Sequence, residues 1–136
     1  MIELLEKLSR LDPKICDRYK DGFRLNCYSK SGNVWMTVLL HFEDLPYELP
    51  PKSLACMQSA LQQAIANYPN LHYQLQSSSD GVHASVWNAE DEEITFDSVD
   101  REAAIALLAA YVLWLEWIEG RGWSKRIDDS QVRDSQ

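Results

Sequence analysis

His41, His72 and His83 are the side chains of this 136-residue chain that titrate near neutrality unaided, so proton transfer at pH 7 would fall to them first. The last two flank Ser77-Ser-Ser-Asp-Gly81. If this loop joins two antiparallel strands, Leu75 faces Val82, Tyr73 faces Ala84 and Leu71 faces Val86. His72 and His83 then become diagonal neighbours on one sheet face. Two imidazoles so placed suit acid–base work or two corners of a metal site, but a metal needs a third ligand and none is indicated. An exposed polar sheet face explains both residues as well. Cys27 and Cys56 fall on apolar positions, where a thiol is inert, and the three cysteines include no Cys-x-x-Cys pair. Glu90, Asp91, Glu92 and Glu93 offer charge to a cation or a basic groove, without the alternation and Gly of a calcium loop. Gly-rich phosphate loops, His-Glu-x-x-His and Gly-x-Ser-x-Gly are absent. The expectation is a protein without catalytic residues, metal or cofactor.

The aromatic residues form the second constellation. Trp35, Tyr28, Leu39 and His41 share the non-core side of one predicted hairpin, and Trp87, His72 and His83 share that of another. Left uncovered, that face is a partner surface with Trp and Tyr anchors. Covered by residues 1–20, it completes a helix–sheet–helix sandwich of three layers. Both arrangements stay open.

Several elements must position these residues. Ile2, Leu5, Leu8 and Leu11 recur at helical spacing, and Asp12-Pro13 reads as the start of a second helical turn that ends before Gly22. Residues 23–29 and 34–42 alternate around a turn, which predicts a hairpin. In it Ser29 faces Val34, Cys27 faces Met36, Leu25 faces Val38 and Phe23 faces Leu40 on the core side. Three prolines within residues 43–51 break the pattern, and a helix over 52–67 follows, buried through Leu54, Met57, Leu61, Ile65 and Tyr68. After the second hairpin come an acidic loop over 88–93, a short strand over 94–96, and a last helix capped by Asp97 or Ser98 and ending at Glu119. The expected fold is α+β, with one antiparallel sheet of four to five strands and the order α-ββ-α-ββ(β)-α. One domain spans 1–123, and 124–136 form a polar tail without fixed structure.

Thirteen consecutive apolar residues, 103–115, lie inside the last helix. A surface helix would show a polar face there, and roughly 20 Å of apolar helix is short of the ~30 Å of a bilayer core. The run is therefore expected to be buried, with no membrane partner. Ala103, Ala106 and Ala110 beside Trp117 form a strip that admits a close neighbour: either the 52–67 helix or the same helix of a second copy, as a homodimer.

The net charge of −8 is uneven: +2 over residues 1–30, −11 over 31–120 and +1 over 121–136. Such a middle repels a phosphate backbone, which argues against direct nucleic-acid binding and leaves open a basic partner or mere solubility. The odd cysteine count and the lack of a charged-then-apolar leader point to the cytoplasm.

Four stretches carry a resemblance. They are Ser-Leu-Ala-Cys-Met-Gln-Ser-Ala-Leu-Gln-Gln-Ala-Ile at 53–65, His-Ala-Ser-Val-Trp at 83–87, Thr-Phe-Asp at 95–97, and Arg-Glu-Ala-Ala-Ile-Ala-Leu-Leu-Ala-Ala at 101–110. In these, residues 53–119 resemble the phage ABA-sandwich family, small accessory proteins with no assigned chemistry. The resemblance implies an accessory protein of a phage or mobile element that binds, and in some cases inhibits, a host protein such as a defence component. The order of helices and hairpins is also similar to that of type III secretion chaperones, which are small, acidic and dimeric. The expectation is thus a non-enzymatic interaction module. The alternatives are such a chaperone, or a small enzyme or ligand binder using His72 and His83.

Overall fold

The computed structural model describes residues 1–29, 31–45 and 49–120, with the backbone alone at 44 and 91–93. The expected polar tail lies outside the described residues. Helix α1 (Ile2–Leu11) buries Leu5, Leu8 and Leu11, the stripe its spacing predicts. Each fully buried leucine contributes roughly 1.5–3 kcal/mol through loss of apolar surface from water. Helix α2 (Pro51–Ala66) starts with Pro51 at its first helical position, where a missing N–H costs nothing, and buries Met57, Leu61 and Ile65.

Asp12-Pro13 does not open a second helix. Residues 13–15 make one turn and lead into strand β1 (Cys16–Tyr19), which reverses tightly into β2 (Gly22–Tyr28) and then β3 (Val34–His41). The Phe23–Leu40, Leu25–Val38 and Cys27–Met36 pairs occur as the alternation requires. Tyr28, instead of Ser29, stands opposite Val34, because a bulge leaves Trp35 as an extra residue on β3.

Strands β4 (Leu71–Ser78), β5 (Gly81–Asn88) and β6 (Asp91–Asp100) form a second meander. The chain therefore builds two antiparallel three-stranded sheets, β1-β2-β3 and β4-β5-β6, where one sheet of four to five strands was expected. The expected acidic loop is mostly strand: only Ala89 and Glu90 separate β5 from β6, and β6 bulges where Trp87 pairs with Thr95 but Asn88 with Asp91. The last helix starts later than expected, too. Asp97 and Ser98 are strand residues, and the Asp100 carboxylate accepts the Glu102 N–H ahead of α3 (Ala103–Gly120).

The helices separate the two sheets. The first sheet packs on α1 and α2, the second on α3 and α2, and α3 also contacts both other helices. By length and composition α3 is apolar enough to cross a membrane; it nevertheless lies mostly buried against α1, α2 and the second sheet, as a core helix does. Ala106 and Ala110 have no exposed surface, and Trp114 of the same stripe packs edge-on against Tyr68 just beyond α2. The close neighbour of the alanine strip is thus found within the chain, while Ala103 and Trp117 stay half-buried. Lys7–Glu116 (3.5 Å) and Arg10–Glu119 (2.9 Å) join α1 to α3 at the surface, where ion pairs contribute little.

The two halves repeat one plan, a helix followed by a three-stranded meander. Each meander opens with a two-residue turn whose second residue is Asp, followed by Gly: Lys20-Asp21-Gly22 and Ser79-Asp80-Gly81.

Candidate interaction surface on the first sheet

Alternation sends Phe23, Leu25, Cys27 and Leu40 inward to α1 and α2, so Tyr19, Arg24, Asn26, Tyr28, Trp35, Thr37, Leu39 and His41 face out. Among the described residues no helix covers that side: α1 lies against β1 and α3. Trp35 is 54% exposed, Val34 49% and Leu39 46%, all on β3, one of the two edge strands. A free edge carries backbone donors and acceptors that another chain can pair with, and proteins usually blunt it with charge or proline. β3 reads Val-Trp-Met-Thr-Val-Leu-Leu-His and has neither.

The rest of this face is polar and held in place. The Arg24 guanidinium donates to both Asp17 carboxylate oxygens (2.7 and 3.1 Å) and lies 5.1 Å from the Tyr19 ring centroid. The Asp17 carboxylate raises the Arg24 pKa through this hydrogen bond. The Tyr28 hydroxyl donates to the Lys14 carbonyl (2.8 Å), the Lys14 ammonium sits over the Tyr28 ring, and the Tyr28 N–H donates to Gln63 of α2. Thr37 donates to Asn26 (3.1 Å), and His41 lies 3.7 Å from Asp21. On or beside this face Lys14, Lys20 and Arg24 outnumber Asp17 and Asp21 by one, Arg18 lying on the Phe23 side, while β3 carries no formal charge. Sequence reasoning finds Tyr28, Trp35, Leu39 and His41 here. It misses Val34, and it misses Tyr19 and Asp17 because it misses β1.

The second sheet separates what the sequence grouped. The β4–β5 turn is the tight Ser79-Asp80, not the four-residue loop that pairing Leu75 with Val82 requires, so the register moves by two residues. His72 then stands opposite Trp87, their ring centroids 6.0 Å apart, and His83 stands opposite Gln76. The two histidines are not diagonal neighbours, and no pair chemistry follows. His83 is 3.1 Å from Asp80, whose pKa is lowered by hydrogen bonds from Ser78 and then from His83. Trp87 is half-buried and lies on a different sheet from Trp35. Glu90 sits in the β5–β6 turn, where Asn70 donates to it (2.6 Å) and the Asn88 side chain accepts its N–H. The side chains of Asp91, Glu92 and Glu93 lie outside the described residues.

The three cysteines are buried and unbridged; burial, aided by Asp17 and Asp12, pushes the Cys16 pKa up to about 12, and burial raises that of Cys27. Among the described residues no three His, Cys, Asp or Glu side chains converge. No protein-family model matches this chain, and neither a curated protein sequence nor a solved structure matches it significantly.

Proposed function

We propose that the chain is a non-enzymatic protein-interaction module that docks a partner protein on the free edge and outer face of the first sheet. One observation carries this reading: Val34, Trp35 and Leu39 stand in solvent on an edge strand without charge or proline. The eight residues of β3 span roughly 27 Å, enough to pair with an extended partner segment along its length. Main-chain bonds supply affinity in such strand addition, and alternate side chains supply specificity. Trp35 and Leu39 would anchor the partner's apolar side chains. The surplus of positive charge at residues 14–24 favours a segment flanked by acidic groups. In biological terms this is an accessory protein of a phage or mobile element, working in the cytoplasm on a host protein.

The dimeric secretion-type chaperone is the second reading, favoured by the same edge, since an unfolded client also needs strand pairing and apolar anchors. Capture from host lysate with the wild type, Trp35→Glu/Leu39→Glu and His72→Ala/His83→Ala tests the proposal. A defined folded partner should be lost with the first double variant and kept with the second. Retention by Trp35→Glu/Leu39→Glu refutes the docking site. Recovery of only unfolded secreted clients supports the chaperone reading.

A further inference from the structure

The first hairpin and α2 bring together three sulfur side chains that the interaction surface does not use. Cys27 and Met36 are directly opposed across β2 and β3, and Cys56 lies on the face of α2 packed over that sheet. The Cys56 Sγ–H donates to Met36 Sδ at 3.0 Å, and the Cys27 Sγ–H donates to the Cys56 carbonyl at 3.4 Å. Cys27, Cys56 and Ala60 form a small buried cluster of their own, flanked by half-buried Met36 and Val38, separate from the main core. The donor side chains of this cluster are two thiols and one thioether.

We propose that Cys27, Cys56 and Met36 form a site for a soft monovalent metal ion, Cu(I). Thiolate and thioether donors select Cu(I) among the biological metals, whereas hard cations require oxygen and most zinc sites four ligands. Metal–sulfur bonds of about 2.3 Å in a trigonal arrangement set ligand sulfurs about 4 Å apart. The 3.0 Å Cys56–Met36 separation must therefore open by about 1 Å. The unbranched Met36 side chain, half-buried on an edge strand, can make that movement and gives the ion a route inward. Binding involves no electron transfer: each thiol forms an S–Cu bond and releases its proton to solvent, leaving a net charge of −1 for two thiolates and one Cu(I). Cys16 takes no part, since its sulfur lies in the main core against the Leu5 carbonyl.

The test is anaerobic titration of the reduced full-length protein with Cu(I) against a chromogenic Cu(I) chelator, with Zn(II) titrated separately. The protein should take about one equivalent of Cu(I), show thiolate-to-copper absorption in the near ultraviolet, and melt at a higher temperature when loaded. Cys27→Ser and Cys56→Ser should each abolish uptake, and Cys16→Ser should leave it intact. Met36→Leu conserves volume, so the fold should survive; losing this ligand should cost at least about tenfold in affinity, since even outer partners of metal sites are worth that much. If the serine variants unfold, Met36→Leu decides. Copper left wholly with the chelator, wild-type affinity in Met36→Leu, loss in a Cys16→Ser variant that still melts cooperatively, or tighter binding of Zn(II) would each overturn the proposal.

Discussion

Tyr111 is wholly buried on α3, and its hydroxyl donates to Asp12 at 2.8 Å, tying the end of α1 to the middle of the core helix across 99 residues of sequence. Helical spacing places Tyr111 among the large core residues, but no local pattern names Asp12 as its partner. Tyr111→Phe should cost about 1.5–3 kcal/mol of unfolding free energy in a urea titration, the value of a hydrogen bond to a charged group. The same neighbourhood makes the fold sensitive to alkali. Burial first, and the Asp12 charge second, raise the pKa values of Tyr111 and Tyr68, while Cys16 is raised from 9.0 to about 12. A raised folded-state pKa means that the unfolded chain loses the proton first. The Cys16 contribution is thus fully present below pH 9 and is lost as pH rises toward 12, by about 1.4 kcal/mol per pH unit, and the two tyrosines add to the loss above pH 10. Cys16→Ala should show a shallower loss of denaturation midpoint between pH 9 and 11 than the wild type. A parallel loss would mean that the Cys16 thiol ionises as readily folded as unfolded. The fate of the histidines marks a limit at this scale: a two-residue register shift keeps every side chain on its face, so alternation identifies the face of His72 and His83 but not their spacing.

At the scale of the elements, two glycines occupy matching places in the two meanders. A Cβ on Gly22 would lie 2.0 Å from the Leu40 carbonyl oxygen, and one on Gly81 would lie 2.7 Å from that of Asp100, each where the third strand passes the first turn. Gly81 also has φ +130°, which side chains rarely adopt. Gly22→Ala and Gly81→Ala should each destabilise by roughly 2–4 kcal/mol or prevent folding. Gly32→Ala, at φ +89° in open space, should cost about 1 kcal/mol. Thermal melts of the three variants check the order; equal shifts would contradict it. The same motif explains how β1 escapes detection. Asp-Gly is a hairpin signal, but Asp21-Gly22 follows only four strand residues, Cys-Asp-Arg-Tyr, with too little alternation to register, so Gly22 passes for a helix stop. Helices α1 and α2 were legible because their apolar stripes repeat at helical spacing, and α3 because its thirteen-residue apolar run is too long for a buried strand.

For the whole molecule, the pairing of adjacent strands could be read from alternation, but whether two hairpins share a sheet depends on what lies between them. Here α2 and α3 do, and among the described residues they leave each sheet with one face outside. The outward aromatic residues of the first sheet were legible for that reason, and their lack of cover was not. If β3 is a docking edge, Trp35→Ala should leave the melting free energy within about 0.5 kcal/mol of wild type while partner capture fails, since an exposed side chain supports no core. The most direct test is photocrosslinking in the host, with a photoreactive residue replacing Trp35 on the first sheet or Thr95 on the outer face of the second. A defined protein adduct should form from position 35 and none from position 95. An adduct from position 95 alone, or from neither position, would contradict a docking edge on β3.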